Sequence, residues 1–190
     1  MNPWAQLSLT ATLLFGTAVE AAPSVTEHYH YYQVKAESTK TLLAAINNAS
    51  PVRHKGEVRH GYTETHVKWN YRWKEANGIC RIKHVSVDLT VTYTLPELTT
   101  TSAATRRTWN QWFAKLLMHE RGHKTVAFKV AEEIETALYE LPAMATCQQL
   151  SDLANSTAYA LLDQAQPRHD QYDKDTNHGE TEGAFLTDYL

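Results

Sequence analysis

Residues 119–123 read His-Glu-x-x-His and lie inside a long stretch of helical periodicity. Residues four apart on an α-helix lie one above the other on the same face, so His119 and His123 can direct two imidazoles at one point. Glu120 is rotated by about 100° around the helix axis and lies beside that point. Helix-borne ligands at this spacing bind zinc, and the adjacent carboxylate can take a proton from a water bound to the metal. The pattern therefore predicts a helix that carries a metal site.

The apolar residues around the motif place both histidines on the inward face of this helix, which we predict over residues 106–141, before Pro142. Seven apolar residues share the face of His119: Trp112, Leu116, Ala127, Val130, Ile134, Ala137 and Leu141. Burying two histidines and a glutamate without a partner is costly. We therefore favour a site for one zinc ion per chain over two core histidines that are bonded only to the backbone.

The N-terminal segment predicts export. Residues 7–19 form an apolar run with small residues, and Val19-Glu20-Ala21 ends it with a small residue at the cleavage position. We interpret residues 1–21 as a signal peptide cleaved after Ala21, because the run is short for a membrane span; an N-terminal anchor is the alternative. No other stretch is apolar enough to cross a membrane. We expect a periplasmic or secreted protein.

The cysteine pair and the net charge predict a disulfide bond and disfavour one kind of partner. In an exported protein the pair Cys80 and Cys147 predicts a disulfide. A cysteine-ligated metal site is disfavoured because neither cysteine has a neighbouring ligand at short spacing. The net charge is −3, without a basic patch, so nucleic acid is not an expected partner.

Residues 22–96 have the patterns of a small sheet. Residues 25–34 favour a strand, and residues 39–48 favour a short helix capped by Ser38. Apolar and polar residues alternate over 61–73 and again over 79–95, with the hairpin signal Asn77-Gly78 between them. His66 and His84 fall on the solvent face of this hairpin, where a ligand role is not expected.

We predict one α+β domain over residues 22–190. A small antiparallel sheet packs against the long metal-binding helix and against a second, C-terminal helix near 147–164. The domain then has a β-rich part (22–96), a helical part (97–167) and a tail (168–190).

A catalytic zinc ion usually has three protein ligands and one open position. One class of zinc-dependent proteases has its third histidine six residues after the second, but this position is Lys129 here. The acidic residues of the next helix lie outside any ligand motif. The tail offers His178 and His169. We favour His178, because the following Gly179 permits a tight turn with the imidazole directed inward.

The chain resembles a family of bacterial domains described as predicted secreted zinc-dependent proteases. Three blocks carry the resemblance: residues 61–80, with Gly61-Tyr62-Thr63-Glu64, Trp69-Asn70-Tyr71 and Gly78-Ile79-Cys80; residues 109–123, with the His-Glu-x-x-His motif; and residues 172–184, with Tyr172-Asp173, Thr176-Asn177-His178-Gly179 and Gly183-Ala184. The resemblance implies a zincin-like metallopeptidase and adds weight to His178 as the third ligand.

The expected activity is therefore zinc-dependent hydrolysis of a peptide or protein substrate. Glu120 would activate the zinc-bound water, and Tyr172 would donate a hydrogen bond to the developing oxyanion. Two alternatives stay open. One is zinc-dependent cleavage of peptidoglycan, and the other is a non-catalytic, zinc-stabilised binding module in which His169 or Asp173 supplies a fourth ligand.

Overall fold

The computed structural model describes residues 22–54 and 56–190 of the chain. The predicted signal peptide, residues 1–21, lies outside the described residues. Over the described residues the fold is α+β, as predicted, with a small mixed sheet and four α-helices. Among the described helices, none is both long enough and apolar enough to cross a membrane.

Three long strands form the main sheet: β1 (Ser24–Lys35), β4 (Tyr62–Ala76) and β5 (Ile79–Thr99), in the order β1-β5-β4. The short strands β2 (Arg53–His54) and β3 (Glu57–Val58) pair separately. The predicted β4–β5 hairpin is confirmed. Both residues of its turn, Asn77 and Gly78, have positive φ angles (55° and 68°), which suits the right-handed twist of the two strands.

The prediction of a wholly antiparallel sheet is wrong. Strand β1 pairs in parallel with β5, with Ser24 opposite Asp88 and Lys35 opposite Thr99. A parallel pair needs a long crossover connection, and here α1 and the β2–β4 region separate the two strands in the chain. Alternation of apolar and polar residues is the same in both directions, so it does not report strand direction.

The helices are α1 (Thr39–Ala49), α2 (Ala103–Tyr139), α3 (Cys147–Leu162) and α4 (Ala165–Asp175). The predicted cap of α1 is confirmed, since the Ser38 side chain accepts a hydrogen bond from the N–H of Lys40. Helix α4 begins in the last residues of the predicted helical part (97–167) and continues into the predicted tail (168–190), where the sequence predicts no helix. Pro167 falls in its first turn, where a helix needs no N–H donor.

The core lies between one face of β5 and helix α2. Alternate residues of β5 are buried: Val85, Val87, Leu89, Val91, Tyr93 and Leu95. The facing residues of α2 include Trp109, Trp112, Leu116, Val130 and Ile134. Complete burial of one such apolar side chain contributes roughly 1.5–3 kcal/mol, so this layer holds α2, and with it the motif, against the sheet.

Two tertiary connections complete the molecule. The predicted disulfide between Cys80 and Cys147 is present and joins the start of β5 to the start of α3. The C-terminal segment folds back onto α2, where the indole Nε1 of Trp112 donates to the carbonyl of Ala184 at 2.8 Å and Leu186 is buried. Residues 168–190 are therefore part of the fold.

Candidate metal centre

Helices α2 and α4 bring three potential metal ligands together. Oδ1 of Asp173 lies 3.3 Å from Nε2 of His119 and 3.1 Å from Nε2 of His123. Zinc–ligand bonds of about 2.0–2.2 Å in a tetrahedral site place neighbouring ligand atoms about 3.3 Å apart. The three residues form a group that could hold a metal ion, and these spacings fit that geometry.

His178 stands beside this group and outside it. Its Nδ1 lies 3.7 Å from Oδ2 of Asp173, and its side chain is 45% exposed. The third position next to the two helix histidines is occupied by Asp173, which the sequence offered only as a fourth ligand of a closed site. Its placement depends on α4, which local sequence patterns did not predict.

The Nδ1 atom of each helix histidine also has a polar partner. Nδ1 of His119 lies 2.9 Å from Oε2 of Glu182, and Nδ1 of His123 lies 3.1 Å from Nδ1 of His169. Both Nε2 atoms therefore face Asp173. His169, the rival for third ligand at the sequence level, contacts His123 and is absent from the group of three.

The histidines and carboxylates of the site stabilise one another's charged forms. Burial opposes protonation of His119, but hydrogen bonds to Asp173 and Glu182 outweigh it and raise the pKa of His119. Burial also disfavours the charged form of Asp173, yet its bonds to the two histidines hold the pKa of this carboxyl far below its usual range. Asp173 is therefore an ionised ligand at neutral pH, which suits a divalent cation.

Glu120 is buried next to the histidines. The Thr63 hydroxyl on β4 donates to Oε2 of Glu120 at 2.6 Å and to its backbone carbonyl at 3.1 Å. A Cβ atom on Gly61 would overlap the Glu120 carboxylate, so glycine leaves the space in which this group lies. Burial raises the pKa of Glu120, while the bond from Thr63 and the nearby histidines oppose the rise.

Tyr172 is held away from the cleft. Its hydroxyl lies 3.0 Å from Oε2 of Glu182 and 3.2 Å from the carbonyl oxygen of His119. Its ring stacks on that of His119, with the centroids 5.2 Å apart. The predicted oxyanion role would require this hydroxyl to leave Glu182, and Tyr172 does not line the cleft.

A cleft of about 1130 Å³ opens over the site. Residues 61–65, His169, Asp170 and residues 185–187 are among those that line it. The short β2–β3 hairpin contributes Arg53, His54 and Val58. The cleft exceeds the usual volume of a small-molecule pocket, roughly 300–1,000 Å³, and has room for an extended segment.

The fold and site thus define an α+β protein with two histidines and one carboxylate gathered on a long helix and its neighbour. The family model described as "Bacterial protein of unknown function (DUF922)" matches residues 29–179, and the chain belongs to this family. The matched region includes the motif on α2 and Asp173. No curated protein and no solved structure matches the chain.

Proposed function

We propose that this protein is an exported, zinc-dependent peptide hydrolase of zincin-like architecture. One observation carries the proposal: the Nε2 atoms of His119 and His123 converge with Oδ1 of Asp173, while the buried carboxylate of Glu120 lies next to them on the same helix. Two histidines with one carboxylate is a ligand set of known zinc hydrolases.

Each residue has a defined role in this proposal. His119, His123 and Asp173 hold the ion, and His178 lies at the rim of the site. When bound, a zinc ion supplies Lewis acidity towards the scissile carbonyl and the attacking water. Glu120 accepts the proton of that water and returns it to the leaving amine. Thr63 keeps the Glu120 carboxylate in place through its hydroxyl.

The cleft supports a polypeptide substrate. Strand β4 has β5 on one side only, and its residues 62–65 line the cleft. An extended chain can pair with such an edge through backbone hydrogen bonds. A substrate bound along β4 would pass next to Glu120, since Thr63 contacts that residue directly.

The test is Glu120→Gln, assayed for zinc content and for hydrolysis of casein. We expect zinc binding to persist and turnover to fall by about 10²-fold or more, because the proton acceptor is lost. Glu132→Gln, which replaces an exposed carboxylate on the same helix, is the matched control and should retain full activity. Full turnover by Glu120→Gln would contradict the mechanism. Parallel digestion of purified peptidoglycan tests that substrate directly.

A non-catalytic zinc module is the second candidate, and His178 is the observation that favours it. This residue is close enough to Asp173 that a small shift would add its imidazole as a fourth ligand and close the site. His178→Ala separates the two candidates. We expect the variant to keep zinc and activity if the site is open, whereas a sharp loss of zinc would favour the closed site.

A further inference from the structure

We propose that Glu182 is a positioning residue for the metal site: its carboxylate fixes the tautomer and orientation of His119 that present Nε2 to the ion. The inference rests on the proposed metal site and goes beyond its ligands. Glu182 lies outside the three-residue ligand group and past the end of the family match at residue 179.

Glu182 is hydrogen-bonded to the ring of His119. Nδ1 of His119 and Oε2 of Glu182 are 2.9 Å apart, and an ionised carboxylate can only accept. Nδ1 therefore donates to Glu182, and this leaves Nε2 as the ring nitrogen that can bind an ion. That nitrogen is the one that faces Asp173. A carboxylate behind a metal-ligating histidine also increases the basicity of the ligand.

Glu182 is itself held in place by its neighbours. The Tyr172 hydroxyl lies within hydrogen-bond distance of both of its carboxylate oxygens, at 3.0 and 3.1 Å. The Glu182 side chain is only 25% exposed. It lies in the 3-10 helix Glu180–Glu182, between Gly179 and Gly183, both of which have positive φ angles. This short turn aims the carboxylate at α2.

The ring of His119 is closely packed on the side of the C-terminal segment. Tyr172 stacks on this ring, and a Cβ atom on Gly179 would lie 2.9 Å from its Cγ. Both contacts come from the same C-terminal segment as Glu182. The ring is thus confined by its neighbours, and the carboxylate selects which nitrogen is protonated. His169 makes the corresponding contact with Nδ1 of His123, but through an imidazole in place of a carboxylate.

The experiment compares the zinc dissociation constants of the wild type, Glu182→Gln and Glu182→Ala by competition with a chromophoric chelator. We expect weakening of about tenfold for the glutamine variant and up to about 100-fold for the alanine variant. Glu180→Gln is the matched control, because this exposed glutamate lies in the same turn and contacts Asn177. It should bind zinc within about twofold of the wild type.

Two further readouts separate positioning from folding. In the zinc-bound proteins, the imidazole ¹⁵N resonances of His119 should report a protonated Nδ1 and a metal-bound Nε2 in the wild type, and metal binding through either ring nitrogen in Glu182→Ala. The metal-free Glu182→Gln and Glu180→Gln variants should have equal melting temperatures. Weakened zinc binding with an unchanged tautomer and a lowered melting temperature would overturn the proposal.

The outcomes also distinguish this inference from the proposed function. Wild-type affinity in Glu182→Gln, together with a wild type that binds zinc, would overturn the positioning role and leave the hydrolase proposal intact. A wild type that binds no zinc would overturn both.

Discussion

Three glycines lie where a side chain would overlap the candidate metal centre. Gly61 faces the carboxylate of Glu120, Gly122 faces the hydroxyl of Tyr172, and Gly179 faces the ring of His119. Gly122 is the informative case, because glycine inside a helix is otherwise unfavourable by about 1 kcal/mol relative to alanine. Here the missing Cβ provides space for the tyrosine ring that stacks on His119.

Gly122→Ala should therefore destabilise the protein, against the usual helix preference. The added methyl group meets the Tyr172 ring, and overpacking of this kind costs about 1–3 kcal/mol. Urea unfolding measures the change in the free energy of unfolding. With Tyr172→Ala as the background, the same substitution should cost little, because the two residues are in contact. A Gly122→Ala variant that is more stable than the wild type would contradict the packing described here.

His60 is a second single-residue feature, and it lies outside the three-residue ligand group. Its Nε2 contacts Oδ1 of Asn47 at 2.7 Å, and its ring packs edge-on against Trp112. Burial, with a contribution from Arg59, lowers the pKa of His60 to about 4. Between pH 6.5 and about 4 the unfolded chain binds a proton at this residue and the folded chain does not. The free energy of unfolding therefore falls as the pH falls through this range.

His60→Gln should weaken this acid sensitivity. We expect the difference in unfolding free energy between about pH 7 and about pH 4.5 to be smaller in the variant, by on the order of 2 kcal/mol. Urea unfolding of both proteins at the two pH values measures it, and any packing defect of the variant cancels in the difference. An unchanged pH dependence would show that His60 titrates alike in both states.

At the scale of elements, the disulfide links the two halves of the molecule. Cys80 and Cys147 are 67 residues apart in the chain and 5.1 Å apart between Cα atoms. The backbone of Cys80 also pairs with Met144, with N–H to O distances of 2.8 and 2.9 Å. The link therefore joins strand β5 to the connection that precedes α3.

Replacement of both cysteines by serine should lower the free energy of unfolding by roughly 4 kcal/mol, if the bond acts by restricting the conformational entropy of the unfolded chain. Thermal unfolding with and without a reducing agent measures it. Reduction should lower the melting temperature of the wild type and leave that of the double serine variant unchanged. Equal melting temperatures of oxidised and reduced wild type would contradict this.

For the whole molecule, the proposed ion would connect helix α2 to the C-terminal segment. The histidines come from α2, whereas Asp173 and Glu182 come from residues 168–190. An ion bound only by the folded state stabilises it by about 2.7 kcal/mol when its free concentration is about 100 times the dissociation constant. Part of the segment is held independently, because Trp112 bonds to Ala184 and Leu186 is buried.

Removal of the metal should therefore loosen the segment around Asp173 more than the segment around Leu186. Hydrogen exchange with and without a chelator, resolved over residues 168–190, measures this. The His119→Ala variant is the control and should not respond to chelator. Unchanged exchange around Asp173 after complete loss of zinc would argue against this residue as a ligand.

Patterns confined to a few neighbouring residues determined much of this protein. The motif on α2, the β4–β5 hairpin, the cap of α1 and the cysteine pair were all predictable, because the spacing of residues along a helix or a strand sets which side chains share a face. The inward position of His119 and the burial of Glu120 follow from the same periodicity and agree with the structure.

Only the tertiary structure decided what surrounds the motif. The parallel pairing of β1, the existence of α4, and the contacts of Asp173, Glu182 and Thr63 with the motif depend on residues far apart in the chain, such as Thr63 and Glu120. Helix α4 has no buried residue, so it has no apolar stripe that a local pattern could reveal. A helix motif can specify two ligands because they are neighbours on one element, but the third ligand and the groups that orient them are set by packing between elements.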